Sequence, residues 1–140
     1  MFVPFQKKDI LALTKERKFE TKIGEKISLG NVSQLSKKGV KFVIFGVEES
    51  IGPRANMGRG GSERAWFSFL NSFLNTQKNK LIDVSKIGIL GSFKFSSNKS
   101  DLNFLREITS EIDSEVKLVV EKIISFNMIP ILVGGGHNNA

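Results

Sequence analysis

The segment Phe42–Val47 constrains the fold most strongly, because it is apolar at both of the alternating sets of positions along a strand. Such a run predicts a strand that is covered on both faces, as in the centre of a parallel sheet. The apolar runs Ile87–Phe93 and Asn127–Val133 predict two more strands of the same buried type. Glycines inside Ile87–Phe93 indicate close packing or a bend in that strand.

Segments with helical periodicity separate these strands. Ser62 stands where it can cap a helix whose apolar residues form one stripe, namely Trp66, Phe69, Leu70, Phe73 and Leu74. A second stripe spans residues 112–124, after a helical piece, Asp101–Ile108, that we expect to be interrupted near Thr109. Asn127 is predicted to end this helix. The order strand, helix, strand, helix, strand predicts an α/β fold with a parallel sheet and right-handed crossovers.

Composition limits the class of protein. The 140 residues are 40% hydrophobic, which is enough for the core of one ordinary domain. No apolar stretch approaches the roughly 20 residues of a membrane span, and no secretory signal is present, so we expect a cytoplasmic chain without a membrane partner. Because the chain has no cysteine, a metal would have to be held by imidazole and carboxylate groups.

The net charge of +7 is concentrated near the N-terminus. Residues 1–41 hold ten Lys and Arg against four Asp and Glu, whereas residues 42–140 hold eleven against ten. We expect residues 1–40 to form an arm or subdomain packed against the sheet. This segment lacks the interleaved aromatic residues of single-strand binders, so a solvated surface explains it better than nucleic-acid binding. A basic RNA-binding domain remains a rival, and it predicts an affinity that falls steeply with salt.

The glycine-rich segment 48–61 leaves the carboxyl end of the first strand, where α/β proteins collect their functional groups. Arg54 and Arg59 could bind a substrate carboxylate through bidentate hydrogen bonds, although either could equally tie the loop to its own backbone or to a neighbouring acid. Glu48 and Glu49 could be metal ligands, although acids on an exposed loop are common. This segment is therefore a candidate substrate loop.

His137, the only histidine, follows three glycines after the last predicted strand. A lone histidine is usually a surface or hydrogen-bonded structural residue. Its position past a strand end favours a functional role, because the small residues of Gly134–Gly136 leave room for a metal or a substrate against the backbone. One imidazole cannot hold a catalytic metal alone, since about three protein ligands are normal.

Three segments together, Arg54–Gly61, Ala65–Asn75 and Gly134–His137, resemble the ureohydrolases, the family of arginase, agmatinase and formimidoylglutamase. The nearest likeness is to the formimidoylglutamase-like branch, which has Gly-Gly-Gly-His where typical arginases have Gly-Gly-Asp-His. The resemblance covers residues 41–140. It implies a three-layer α/β/α fold, with an eight-stranded parallel sheet and two manganese ions at its carboxyl edge.

By this resemblance His137 matches the first metal ligand, and Arg54, Asn56 and Arg59 are the candidate substrate-binding residues. The family's other metal ligands come from Asp-x-His-x-Asp and Asp-x-Asp motifs, and neither occurs in this sequence. We therefore expect residues 41–140 to be the N-terminal part of an arginase-like domain, truncated after the third core strand and inactive alone.

The presumed full-length parent would be an oligomeric, manganese-dependent hydrolase of C–N bonds in linear amidines such as formimidoylglutamate, arginine or agmatine. The main alternative is a non-catalytic α/β binding or scaffold module without a complete metal site. A further alternative is another doubly wound domain in which the match of Gly134–His137 is due to chance.

Overall fold

The computed structural model describes residues 1–139 and shows a mixed α/β fold around an open sheet of mostly parallel strands. The strands are β1 (Phe2–Pro4), β2 (Ser28–Leu29), β3 (Phe42–Glu48), β4 (Ile87–Lys94) and β5 (Ile129–Val133). The α-helices are α1 (Lys7–Leu13), α2 (Ile23–Lys26), α3 (Val32–Lys37), α4 (Ile51–Ala55), α5 (Ala65–Phe73) and α6 (Leu102–Ser125). Three 3₁₀ turns are Ser62–Arg64, Val84–Lys86 and His137–Asn139. Ala140, the last residue of the predicted domain, lies outside the described residues.

Strand β3 lies at the centre of the sheet, between β4 and β5, and pairs with both in parallel. Its residues from Val43 to Val47 are buried, which confirms the prediction of a central parallel strand. The chain passes from β3 to β4 on one side and returns to β5 on the other. The direction of winding therefore changes at β3, and in such sheets ligands bind at the carboxyl ends of the strands at this point.

The prediction of a fully buried strand is wrong for β5. Within the described residues β5 has one neighbour, β3, and the Ile129 and Ile131 side chains are 54% and 38% exposed. A short apolar run indicates that a strand can be buried, but it carries no information about how many strands flank it.

The outer edge of β4 is shared by two strands from the first forty residues. β1 pairs with Gly91–Phe93 in the antiparallel sense, and β2 pairs with Gly88 and Ile89 in parallel. Gly91 has a φ of +146°, and a Cβ at this position would collide with the Val3 carbonyl oxygen. The predicted bend or close packing is therefore present. The N-terminal segment contributes strands to the sheet itself, a closer connection than an arm packed against it.

Helices pack on both faces of the sheet, over two apolar clusters. On one face α6 covers β3 side chains that include Val43 and Phe45. On the other face Trp66 and Leu70 of α5 are buried, as the stripe predicts, and a Cβ on Gly46 would lie 2.6 Å from Trp66 Cγ. The bare backbone of β3 at this glycine therefore allows the indole to sit directly on the sheet.

The predicted start of α5 is wrong. Ser62 does not cap this helix, because it lies in the 3₁₀ turn that precedes it, and its hydroxyl donates to the Glu49 carbonyl oxygen at 2.6 Å. The predicted glycine-rich loop is also more ordered than expected, since it contains the short helix α4. These contacts hold the loop against the end of β3.

The long helix α6 is continuous over 24 residues, so the expected interruption near Thr109 is wrong. The Thr109 hydroxyl donates to the Leu105 carbonyl at 2.8 Å, which satisfies this polar group without opening the helix. Asn127 ends the helix as predicted: it has a φ of +56°, and the N–H groups of Asn127 and Met128 donate to Ile124 and Ile123. None of the helices within residues 1–139 is long and apolar enough to cross a membrane.

Candidate functional site

The loops that leave β3 and β5 meet at the carboxyl edge of the sheet. Glu49, directly after β3, accepts a hydrogen bond from the Gly52 N–H at 2.8 Å and another from the Gly136 N–H. Gly136 belongs to the segment that follows β5. A carboxylate therefore joins the loop that follows β3 to the loop that follows β5.

Glu49 is fully buried, so its interpretation as an exposed loop acid is wrong. The backbone N–H groups replace the water that an ionised carboxylate loses on burial. A Cβ on Gly136 would lie 2.8 Å from Pro53 Cδ and 3.1 Å from Glu49 Oε1. Asn138 of the same segment and the loop after β3 thus fill the space that a side chain at Gly136 would need.

His137 reaches the surface through a tight change of chain direction. Gly134 and Gly135 have φ values of +87° and +78°, in the left-handed region that glycine adopts at little cost. The 3₁₀ turn His137–Asn139 follows, and the Asn138 side-chain amide donates to the Asp113 carboxylate of α6 at 2.6 Å. The His137 side chain is exposed next to this anchored residue, so its imidazole is accessible to a ligand from solvent.

The three candidate substrate-binding residues differ in their surroundings. The Arg54 guanidinium donates to the carbonyl oxygens of Ser97, at 2.7 Å, and Lys99. Arg54 therefore has a structural role, as in the alternative to substrate binding, but it bonds to the backbone of the segment after β4 and not to its own loop or to an acid. Asn56 and Arg59 follow α4 with exposed side chains, which make no hydrogen bond or ion pair to any residue among the 139 described. Arg59 is therefore the arginine of this loop that a ligand can reach.

Glu48 takes part in a polar cluster at the ends of β3 and β4. It accepts a hydrogen bond from Ser92 Oγ at 2.5 Å, and its Oε1 atom is 3.8 Å from Lys94 Nζ. The cluster borders a cavity of about 300 Å³, whose other walls include Phe5 and Trp66. The sequence pattern does not single out Ser92 or Lys94, because only the strand register places them beside Gly46 and Glu48.

Glu63, in the 3₁₀ turn that precedes α5, has a lowered pKa. Hydrogen bonds from its own backbone N–H, from the Gly61 N–H at 2.9 Å and from the Ser50 hydroxyl lower the pKa of Glu63 below its usual value of 4.5. Each of these donors stabilises the charged form. Glu63 is therefore ionised at neutral pH, and it holds the glycine-rich loop in place.

The described residues do not by themselves build a metal centre. No group of three or more His, Asp or Glu side chains within the described part of the chain could hold a metal ion. An exposed imidazole fits the role of one ligand, and a manganese site would need additional oxygen or nitrogen ligands. His137 is the residue of this edge that fits that role.

No family model, curated protein or solved structure matches this chain. The structure shows a mixed α/β fold with an open and mostly parallel sheet. A fold of this class supports many activities, so the side chains at the carboxyl edge of the sheet, and not the fold, distinguish among them.

Proposed function

We propose that the chain is the N-terminal part of a manganese-dependent hydrolase of the ureohydrolase family. The complete protein would cleave C–N bonds of linear amidines such as formimidoylglutamate, arginine or agmatine. It would have the three-layer α/β/α architecture that the sequence resemblance implies, and it would act as an oligomer. The residues of this chain would supply one metal ligand and part of the substrate-binding loop.

The observation that carries the proposal is the junction of the two loops at the carboxyl edge of the sheet. The three sequence segments of the resemblance are separated along the chain, yet the third, Gly134–His137, is bonded through the Gly136 N–H to Glu49, at the start of the loop that carries the first, Arg54–Gly61. This edge is the place where α/β enzymes bind their ligands. The exposed imidazole of His137 lies one residue beyond the junction. A meeting of motifs at a functional edge favours a shared site over three chance matches.

Each group of the chain has a defined role in this proposal. His137 would be a ligand of a manganese ion, and bound manganese would supply an activated water for the hydrolysis. Arg59 and Asn56 would contact the substrate, since both are accessible. Arg54 would shape the substrate loop from behind, because its guanidinium is already bonded to the backbone after β4. Glu49 would keep the two loops at a constant separation.

The test starts with the reading frame downstream of the codon for Ala140. The proposal expects an Asp-x-His-x-Asp motif and a later Asp-x-Asp motif, and the encoded protein is then assayed with manganese for release of ammonia, formamide or urea from the three amidines. His137→Ala should reduce the bound manganese by one ion per chain and lower kcat, with an unchanged circular dichroism spectrum. Arg59→Ala should raise KM more than it lowers kcat.

One control variant makes the result interpretable. Lys122→Ala removes an exposed charge in the last turn of α6, and it should change neither metal content nor rate. A stop codon after Ala140, or a whole protein without manganese-dependent turnover of any of the three amidines, would overturn the proposal. The non-catalytic binding or scaffold module would then be the better explanation, and it predicts no stabilisation by manganese.

A further inference from the structure

Lys22 is a buried cation in the N-terminal segment, remote in sequence from the loops of the carboxyl edge. Its side chain is only 6% exposed. The backbone keeps it there, since Lys22 pairs with Gln77 in a β-bridge and the Ile23 N–H donates to the Thr76 carbonyl at 3.0 Å. Residues 21–24 thus run alongside the segment that follows α5. The burial of this lysine is a consequence of main-chain pairing.

The Lys22 ammonium has few partners for a buried charge. Nζ donates to Asn75 Oδ1 at 3.2 Å, and the same oxygen also accepts the Lys15 N–H at 2.8 Å. Neither of the ion pairs in the described chain includes Lys22. An ammonium carries three N–H donors, and burying a charge without an opposite charge is costly. The nearby carboxyl end of α5 offsets part of this cost through the helix dipole.

Lys22 borders a cavity of about 290 Å³ that we name the arm pocket. All of its lining residues are polar or charged: Lys15, Arg17, Glu20, Lys22, Asn71 and Asn75. Three cations against one acid give the lining a net charge of +2. The exposed residues Lys15 and Arg17 line this pocket together with the buried Lys22, and Arg17 opens the tight turn closed by the Arg17–Glu20 bridge. The pocket therefore suits an anion better than an apolar molecule.

We propose that the arm pocket binds a phosphate group, either as the free ion or as the monoester of a small molecule. A phosphate carries about −1.5 to −2 charges at pH 7, which matches the net charge of the lining more closely than a single carboxylate does. Lys22 supplies the buried charge and Arg17 a bidentate donor at the rim. The single acid, Glu20, favours a protonated or hydroxyl-bearing oxygen on its side of the ligand. This proposal does not depend on the hydrolase proposal.

The first measurement is a titration of the ¹⁵N-labelled chain with inorganic phosphate at constant ionic strength, followed by NMR. The expected result is saturable shifts of the backbone amides of Lys15, Lys22 and Asn75, with no comparable shifts when chloride is added. A parallel titration with glycerol phosphate distinguishes the sources, because tighter binding of the ester indicates that the organic part is recognised. Shifts that grow linearly with phosphate, without saturation, would overturn the proposal.

Matched variants locate the site. Lys22→Gln and Arg17→Gln should each weaken phosphate binding at least tenfold. Lys18→Gln removes the same charge from the same turn but from a residue outside the arm pocket, so binding should change less than twofold. Because Arg17 is exposed, its variant tests the proposal even if Lys22→Gln fails to fold. Equal weakening by Lys18→Gln would mean that diffuse positive charge attracts the anion, and the proposal would be wrong.

Discussion

Glu49 and Lys22 are both buried charged residues, but the two regions around them satisfy the charge differently. Glu49 is 0% exposed and binds two backbone N–H groups of the loops that leave β3 and β5. Lys22 is 6% exposed and donates to one side-chain oxygen, at the boundary between the N-terminal segment and α5. The charge of Glu49 is thus balanced by hydrogen-bond donors of the chain itself, whereas the charge of Lys22 is balanced only in part.

The difference follows from the chemistry of the backbone at each place. Tight loops after strands point several N–H groups in one direction, so a carboxylate there finds donors in its own vicinity. A lysine needs acceptors, and the oxygen that Lys22 contacts already accepts the Lys15 N–H. Glu49 is thus a structural residue of the junction. Lys22 keeps binding capacity for an anion in the arm pocket.

The largest expected effect tests the structural role of Glu49. Glu49→Ala leaves the buried N–H groups of Gly52 and Gly136 without their carboxylate acceptor, and we expect a loss of about 2–4 kcal/mol in the free energy of unfolding. Urea denaturation measures this as a lower midpoint with an unchanged slope. Glu111→Ala, on the exposed face of α6, is the matched control and should change stability by less than about 0.5 kcal/mol. Equal effects of the two variants would contradict the comparison.

A smaller effect is expected at Asn75, which supports the arm pocket. Its Nδ2 donates to the Leu13 and Asn71 carbonyl oxygens, both at 2.8 Å, and its Oδ1 accepts from Lys15 and Lys22. Asn75→Ala removes these bonds, and we expect a loss of about 1–3 kcal/mol, measured by thermal or urea denaturation. Amide hydrogen exchange should become faster in residues 13–24 than in β3.

Asn71→Ala is the control for this prediction, because the Asn71 side chain lines the same pocket while its backbone carbonyl accepts the bond from Asn75. This variant should keep the stability and the exchange pattern of the parent chain. If Asn71→Ala were as destabilising as Asn75→Ala, the hydrogen bonds of Asn75 would not be what joins the N-terminal segment to α5.

The smallest change in stability is expected at Glu63. This residue accepts backbone N–H hydrogen bonds as Glu49 does but lies at the surface, so comparing the two shows how much of the effect at Glu49 depends on burial. Its pKa is lowered mainly by its own backbone N–H and by that of Gly61, so the unfolded state takes up protons first as the pH falls. Its stabilising contribution is therefore present above the usual value of 4.5 and is lost as the pH falls through the lowered folded value.

Glu63→Gln should accordingly lower stability slightly at neutral pH, and the difference from the parent chain should become smaller as the pH falls below 4.5. Denaturation at about pH 6.5 and about pH 3 tests this. A difference that is the same at both values would mean that the charge of Glu63 contributes nothing.

Much of the sheet could be predicted from the sequence. The apolar runs of β3 and β4 and the stripe of α5 depend on local periodicity, and all three are present in the structure. The prediction that α6 is interrupted near Thr109 failed for a physical reason. The Thr109 hydroxyl donates to a carbonyl of its own helix, so this polar residue does not break the helix. The prediction that β5 is fully buried failed because no local sequence pattern records how many strands lie beside a given strand.

The sequence predicted where the candidate site lies, but not which of its side chains bond to the rest of the chain. The positions of His137 and the loop around Arg59 follow from the rule that parallel strands present their carboxyl ends at one edge. Nothing in the sequence distinguishes buried Glu49 from its neighbour Glu48, or the loop-bound Arg54 from the exposed Arg59. The metal and substrate roles assigned to these residues stay predictions.

The sequence by itself determined the strands β3, β4 and β5, the helices α5 and α6 and the apolar stripe of α5, because side-chain periodicity acts over a few neighbouring residues. Only the tertiary structure decided which charges are buried. Glu49 and Gly136 are 87 positions apart, and their hydrogen bond exists because β5 pairs with β3. The burial of Lys22 likewise depends on its pairing with Gln77. Whether a charged side chain is buried is determined by contacts between residues distant in sequence, and these contacts follow from strand order and chain pairing.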